Sequence, residues 1–141
     1  MRKIDYIVIH CTAGGKNQSL ESIRSWWHFP KPQGLGWKNV GYHWLVMGDG
    51  SIVKLADIQQ VTNGVRGFNH NSIHIAYTGG MHEDDRTEAQ KAAILDCIFM
   101  SISQCAKHGY KPKIQGHRDF PNVKRDCPQF DAIKEYEWIL I

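Results

Sequence analysis

The 141-residue sequence carries a formal net charge of +3, with 42% hydrophobic and 22% charged residues. This length and composition predict a single globular domain over residues 1–141, large enough to bury about two thirds of the surface of its unfolded chain. The mild charge, without a cluster of Lys and Arg, argues against a nucleic-acid partner. No apolar run is long enough to span a membrane, and we expect a monomer.

The N-terminal segment and the cysteines indicate where the chain is made. Residues 4–11 are apolar, but Asp5 and His10 interrupt them and no Ala-x-Ala cleavage site follows, so we expect cytoplasmic synthesis without a signal peptide. Cys97 and Cys105 fall on one predicted helix, where their Cα atoms would be about 12 Å apart. A disulfide requires less than about 7 Å. Reduced thiols are therefore expected.

The first half of the chain predicts a strand, a helix and a hairpin. Both faces of residues 4–11 are mostly apolar, as in a central strand covered on both sides. Ser19 can cap a helix in which Ile23 and Trp27 share one face, which favours a core position for Trp27. A loop rich in Pro and Gly follows. Residues 42–47 and 51–55 then predict a β-hairpin around Gly48-Asp49-Gly50.

The second half adds two strands and two helices. Residues 56–72 look irregular, and residues 72–78 predict a strand. Thr87 and Gln90 form a capping box for the longest helix, which His108-Gly109 would end. Residues 113–117 predict a last strand, and residues 131–140 a terminal helix. The fold expected is α/β, a single domain whose central mixed sheet of about five strands is flanked by helices.

Two histidines and one cysteine offer a set of metal ligands. His10 ends the first strand, His117 ends the last one, and Cys127 follows ten residues later. Zinc accepts nitrogen and sulfur ligands, and three protein ligands leave a fourth position for water. The pattern favours a catalytic zinc hydrolase. Taken singly, a histidine is more often hydrogen-bonded or exposed, and a cysteine buried and inert.

Five sequence blocks carry a resemblance to a known family. In chain order they are Ile7-Val8-Ile9-His10-Cys11-Thr12, Val40-Gly41-Tyr42-His43-Trp44, Gly67-Phe68-Asn69-His70-Asn71-Ser72-Ile73, Gly116-His117-Arg118-Asp119 and Cys127-Pro128-Gln129-Phe130-Asp131. Together they resemble the N-acetylmuramoyl-L-alanine amidases, the type-2 zinc amidases that include phage lysozyme-like amidases and peptidoglycan recognition proteins. The resemblance extends from about residue 4 to residue 131.

The resemblance implies a Zn²⁺ site and a reaction. His10, His117 and Cys127 match the family's zinc ligands, and Tyr42 matches a tyrosine that takes part in catalysis. The implied reaction is hydrolysis of the amide between the lactyl group of N-acetylmuramic acid and L-alanine in peptidoglycan. Where phage members carry a catalytic lysine, this sequence has Arg125, with Lys124 beside it.

The chemistry of the side chains limits what Arg125, Tyr42 and Asp119 can contribute to the reaction. Arg125 could stabilise the oxyanion formed when water attacks the carbonyl, but arginine stays protonated and cannot shuttle a proton. Tyr42 could donate a hydrogen bond to the tetrahedral intermediate or position water; a half-buried strand aromatic is the alternative. Asp119 could support the adjacent zinc histidine. No Asp or Glu stands out as the general base.

Other residues are assigned to the substrate or to the scaffold. Trp37, in a Gly-flanked loop, is the predicted substrate-side aromatic. His70 and Asn71 fit a cleft-lining loop that contacts peptide or sugar, although turn formation would explain them equally well. The remaining histidines are not expected to be ligands: His43 should point to the opposite face from Tyr42, and the others should be structural or exposed (His28, His74, His82, His108).

Two other functions fit parts of the sequence. A non-catalytic peptidoglycan-binding module would resemble the family's recognition proteins, but these usually lack the zinc cysteine. A His-rich nuclease would be expected to offer oxygen ligands to magnesium rather than a cysteine. The sequence leaves three biological settings open. The protein is a phage or prophage endolysin that reaches the wall without a Sec signal, an enzyme that recycles wall fragments in the cytosol, or a delivered toxin.

Overall fold

A five-stranded mixed sheet forms the centre of the molecule in the computed structural model, which describes residues 1–139 and 141. The strands are β1 (Tyr6–Cys11), β2 (Trp44–Val46), β3 (Ile52–Lys54), β4 (Ser72–Tyr77) and β5 (Lys113–Gly116). The helices are α1 (Leu20–His28), α2 (Glu88–Ala106) and α3 (Ala132–Tyr136), with short 3₁₀ turns at Asn69–Asn71 and His117–Asp119. This confirms the predicted α/β class.

The strand order β3-β2-β4-β1-β5 places β1 between two parallel neighbours. His10 pairs with Ala76 of β4, and Ile9 pairs with Gly116 of β5. Only β3 is antiparallel, because a short hairpin joins it to β2. The carboxyl ends of β1, β4 and β5 therefore meet at one edge of the sheet, which is where open α/β sheets bind ligands.

The two faces of the sheet are covered differently. Ile7 and Ile9 face α2, whose buried side chains Ile94 and Ile98 complete the largest apolar cluster. On the other face, Ile23 and Trp27 of α1 pack against Leu45 and Ala76, which confirms the predicted core position of Trp27. Side chains alternate along a strand, so His10 points to the α1 side of the sheet.

The two helix N-caps predicted from the sequence are present in the structure. The Ser19 hydroxyl accepts the Ser22 N–H at the start of α1. Thr87 and Gln90 form the predicted reciprocal capping box at the start of α2. Among the described residues, no helix combines the length and apolarity needed to cross a bilayer.

Several boundaries differ from those predicted. Tyr42 and His43 precede β2, which is shorter than the predicted strand and begins at Trp44. His117 opens a 3₁₀ turn after β5 instead of ending that strand. Helix α3 stops at Tyr136, well before the predicted end at residue 140, which lies outside the described residues.

Candidate metal centre and cleft

Three potential ligands converge at the carboxyl edge of the sheet. One nitrogen of His10, one nitrogen of His117 and the sulfur of Cys127 all lie within 4.8 Å of one another. His10 is at the end of β1, His117 is the first residue after β5, and Cys127 belongs to the loop before α3. The parallel pairing of β1 with β5 explains why residues so distant in sequence meet here.

Backbone contacts hold Cys127 in place. Its sulfur accepts the backbone N–H of Cys11 at 3.1 Å, and its carbonyl accepts the Arg118 N–H at 2.8 Å. The thiol is therefore tied both to the end of β1 and to the turn that carries His117. All four cysteines are free thiols and buried.

Asp119 supports His117 through the backbone. Its carboxylate accepts the Gly116 N–H at 2.8 Å and so closes the 3₁₀ turn that begins at His117. The sequence suggested Asp119 as support for the adjacent zinc histidine; in the structure its carboxylate contacts the Gly116 backbone and shapes the turn that carries His117. Pro128 packs so closely on Gly116 that a side chain at that position would overlap the proline ring.

The two imidazoles are neutral in the folded protein. Burial, together with neighbouring His74 and His117, lowers the pKa of His10 well below its usual value. Burial and the nearby Arg125 guanidinium lower the pKa of His117. A metal ligand must offer an unprotonated nitrogen, so both histidines are ready to coordinate near neutral pH.

The Cys127 thiol, unlike the two imidazoles, is protonated in the metal-free protein. Contact with the Cys11 thiol and burial raise the pKa of Cys127 well above its usual value. A coordinated divalent cation reverses this effect because it favours the thiolate. Two imidazoles and one thiolate are a donor set that suits zinc, and three ligands leave one position open. The residues present therefore fit a catalytic metal site.

Tyr42 lies against the donor cluster. Its ring centroid is 5.0 Å from that of His10 and 5.5 Å from that of Trp27. Burial, reinforced by Cys127 and Cys11, raises the pKa of Tyr42 well above the usual value of a phenol. The hydroxyl therefore stays protonated at neutral pH and can act as a hydrogen-bond donor.

A cleft of about 420 Å³ opens over the donors. Trp37 and Arg125 line it beside His117, and the half-exposed Trp26 adds a second aromatic wall. An adjoining cavity of about 670 Å³ shares Trp37, His117 and Arg125. Lys124 lines only this second cavity, whereas Arg125 lines both.

The structure does not bring His70 and Asn71 to this cleft. Both precede β4 at the opposite edge of the sheet from Cys127, since Ser72 pairs with Tyr6. His70 is exposed, and the Asn71 amide donates to the Asp5 carboxylate at 3.0 Å. The cleft contacts from this part of the chain come instead from Asn63 and Gly64.

His74 was expected to be structural or exposed, and it is fully buried behind His10. The two imidazoles are in contact, with 2.9 Å between Nε2 of His10 and Nδ1 of His74. Its position at the centre of β4 depends on the pairing of β4 with β1, which no local pattern reveals.

The fold and this site define a class of protein. The family model described as N-acetylmuramoyl-L-alanine amidase matches residues 1–130, and the chain belongs to that family. It is therefore an enzyme, an amidase that acts on peptidoglycan.

Similar proteins agree with this assignment. The endolysin of Escherichia phage T7 is 29% identical over 137 residues, covering 94% of this chain and 85% of the phage protein. The endolysin of Enterobacteria phage K11 is 30% identical, with 87% and 79% covered. Among solved structures, the Ph2119 endolysin from a Thermus scotoductus bacteriophage superposes with a TM-score of 0.73 at 27% identity, covering 96% of this chain and 84% of that one.

Proposed function

We propose that this amidase is zinc-dependent and cleaves the amide between the lactyl group of N-acetylmuramic acid and L-alanine. The observation that carries the proposal is the convergence of His10, His117 and Cys127 within 4.8 Å at the floor of an open cleft. The family match and the similarity to phage endolysins support the substrate.

The donor set supports a catalytic rather than a purely structural metal. Structural zinc sites normally have four protein ligands, and the described part of the chain offers three within reach of one another. Zinc in such a site activates water near neutral pH and polarises the carbonyl that is attacked.

Tyr42 and Arg125 would act on the carbonyl oxygen. A tyrosine that keeps its proton can donate a hydrogen bond to the negative charge that develops on that oxygen. Arg125 lines the cleft beside His117 and supplies a fixed positive charge, but it cannot transfer a proton at neutral pH. Tyr42 and Arg125 are therefore assigned electrostatic stabilisation of the transition state.

The aromatic walls would hold the substrate. Trp37 lines both cavities, and Trp26 exposes about half of its surface at the edge of the first one. Indole faces are suited to stacking on sugar rings and apolar peptide side chains. The two cavities share His117 in their lining and together provide room for the parts of the substrate that flank the cleaved bond.

The complete donor set favours hydrolysis over peptidoglycan binding alone. A binding module needs neither the convergence of two imidazoles and a thiol nor a phenol beside them. The similarity to phage endolysins supports the same function, in which the enzyme degrades the wall when the host cell lyses.

Digestion of purified peptidoglycan tests the proposal. The zinc-loaded enzyme should release stem peptides that begin with a free L-alanine amine and leave the lactyl carboxylate on the glycan, as read by mass spectrometry. Chelation should abolish release, and added zinc should restore it while magnesium should not.

A Cys127→Ser variant should bind zinc poorly and release little peptide. The matched control is Cys97→Ala, which removes a buried thiol on α2, on the other face of the sheet from His10. Peptide release that continues in the chelated protein would contradict the proposal, and stoichiometric wall binding without cleavage would indicate a binding module.

A further inference from the structure

Three histidines are buried together behind the cleft. His10, His43 and His74 each expose 1% of their surface or less, and only His10 belongs to the donor cluster. Buried polar side chains are expensive unless their hydrogen bonds are satisfied. The contacts around His74 determine which ring nitrogen of each histidine carries the proton.

Asn69 fixes the tautomer of His74. The side-chain oxygen of Asn69 accepts the Val65 N–H at 2.7 Å, which identifies that atom as the oxygen of the amide. The same oxygen lies 2.9 Å from Nε2 of His74. An oxygen acceptor requires a donor, so Nε2 of His74 carries the proton. A buried imidazole without an anionic partner is neutral, and Nδ1 of His74 is therefore an acceptor.

His74 in turn fixes the tautomer of His10. Nδ1 of His74 lies 2.9 Å from Nε2 of His10, so Nε2 of His10 must donate its proton to His74. This leaves Nδ1 as the nitrogen of His10 with a free lone pair. Coordination through Nε2 would break this hydrogen bond and leave two buried nitrogens unpaired.

We infer that His74 is a positioning residue that presents His10 to the metal through Nδ1, with Asn69 holding the His74 ring in the required tautomer. The inference rests on the zinc site proposed above. Metal-bound histidines commonly donate their second N–H to a carboxylate, carbonyl or water; here a neutral imidazole takes that place.

The neighbours of His74 are arranged to hold its ring. The His74 backbone N–H donates to Nδ1 of His43 at 3.0 Å, while Nε2 of His43 donates to the Gln60 carbonyl at 2.7 Å. A Cβ at Gly64 would overlap the His74 imidazole, so this position requires a glycine as long as the ring lies there. His74 is thus enclosed on several sides.

Zinc affinity, measured by competition with a chelator, tests the role without relying on catalysis. His74→Phe removes the acceptor for His10 and should weaken zinc binding by about 10- to 100-fold, the usual effect of losing such a partner. Asn69→Leu removes the residue that orients His74 and should weaken binding less. Asn69→Asp keeps an oxygen for both donors but gives His74 an anionic partner, which favours a doubly protonated ring whose Nδ1 no longer accepts, so this variant should also weaken zinc binding.

A substitution that only destabilises the hydrophobic core should not change the affinity for zinc. Ile98→Ala creates a cavity in α2, on the opposite face of the sheet from His10, and is the matched control. It should lower the unfolding temperature and leave zinc binding unchanged below that temperature. Asn69 is only half-buried, so its variants keep the test available if His74→Phe does not fold.

Long-range ¹H–¹⁵N spectra of ¹⁵N-histidine-labelled protein give a second readout. With zinc, His10 should be protonated at Nε2 and metal-bound at Nδ1; without zinc, His10 and His74 should both be Nε2–H tautomers. A metal bond at Nε2 of His10, or a third imidazole bound to zinc, would overturn the inference.

The two proposals fail in different ways. A wild-type protein that binds no zinc refutes the metal assignment. Tight wild-type binding that is unchanged in His74→Phe and Asn69→Leu refutes only the positioning role.

Discussion

The hydroxyl of Tyr77, at the end of β4, donates a hydrogen bond of 2.6 Å to the carbonyl of Pro128. Tyr77 is fully buried, and Pro128 is the residue after Cys127. The strand beside β1 therefore holds the loop that carries the thiol, in addition to the contacts from Cys11 and Arg118.

Tyr77→Phe should lower both stability and metal affinity. The substitution leaves the buried Pro128 carbonyl without its donor, which costs about 1–3 kcal/mol in the free energy of unfolding. Cys127 should also be held less well, so zinc binding should weaken severalfold. Urea unfolding and chelator competition measure the two effects. Tyr110→Phe is the control, because its hydroxyl makes only a 3.3 Å contact with the Met1 carbonyl and should change neither quantity appreciably.

Zinc should stabilise the folded chain. An ion that binds only the folded state adds about 4 kcal/mol when its free concentration is a thousand times the Kd. The unfolding temperature should rise with zinc in the wild type and in Cys97→Ala. It should not rise in Cys127→Ser or His117→Ala, and an equal rise in these ligand variants would place the metal elsewhere. Differential scanning calorimetry at several zinc concentrations measures the effect.

Arg125→Ala should lower kcat by about 10²-fold, a typical loss when a donor to the oxyanion is removed. Arg125→Lys should recover part of the rate, since it restores a positive charge. Lys124→Ala should retain most of the activity because Lys124 lines only the adjoining cavity. Steady-state kinetics on a soluble muropeptide separate these effects on kcat from those on KM. The reverse pattern, with Lys124→Ala inactive and Arg125→Ala normal, would assign the stabilisation of the oxyanion to Lys124 instead of Arg125.

His43 should make the metal-free protein sensitive to acid. Burial lowers the pKa of His43 to about 4, against about 6.5 in the unfolded chain. Between these pH values the unfolded state binds more protons, so stability rises with pH. The contribution is complete above pH 6.5, falls as the pH drops to 4, and amounts to about 3 kcal/mol.

Urea unfolding of the metal-free protein between pH 4 and pH 7 tests this contribution. His43→Gln should reduce the slope of the free energy of unfolding against pH by an amount that corresponds to at most one bound proton. His10, His74 and His117, whose pKa values burial also lowers, contribute to the slope that remains. The control is His108→Gln, which removes an exposed imidazole and should keep the wild-type slope. An unchanged slope in His43→Gln would show that His43 does not remain neutral.

The sequence predicted the parts of the site that lie at the ends of strands. An apolar run gave the position of β1, residues 113–117 were also predicted to form a strand, and parallel pairing carries His10 and His117 to the same edge. The capping box at Thr87 was predictable because its two residues are close in sequence. The spacing of Cys127 from His117 suggested it as a ligand, and the family resemblance strengthened that assignment, because nothing in its loop predicts the direction of its side chain.

The positions that the sequence did not determine depend on contacts between residues that are distant in sequence. His74 was expected to be structural or exposed, and its position behind His10 follows from the register of β4 against β1. Asn71 was predicted to line the cleft, but its side-chain amide donates a hydrogen bond to Asp5 at the opposite edge of the sheet. The sequence predicted the core position of Trp27, whereas the exposed position of Trp26 beside the cleft emerged only from the packing of α1.

The position of β5 beside β1 has a consequence for shortened chains. A product that stops before residue 113 lacks β5 together with the donors His117 and Cys127. Its β1 would become an outer strand with apolar residues on both faces and unpaired backbone groups along one side. Exposed strands of this kind pair with other chains, so such fragments should aggregate rather than persist as inactive monomers.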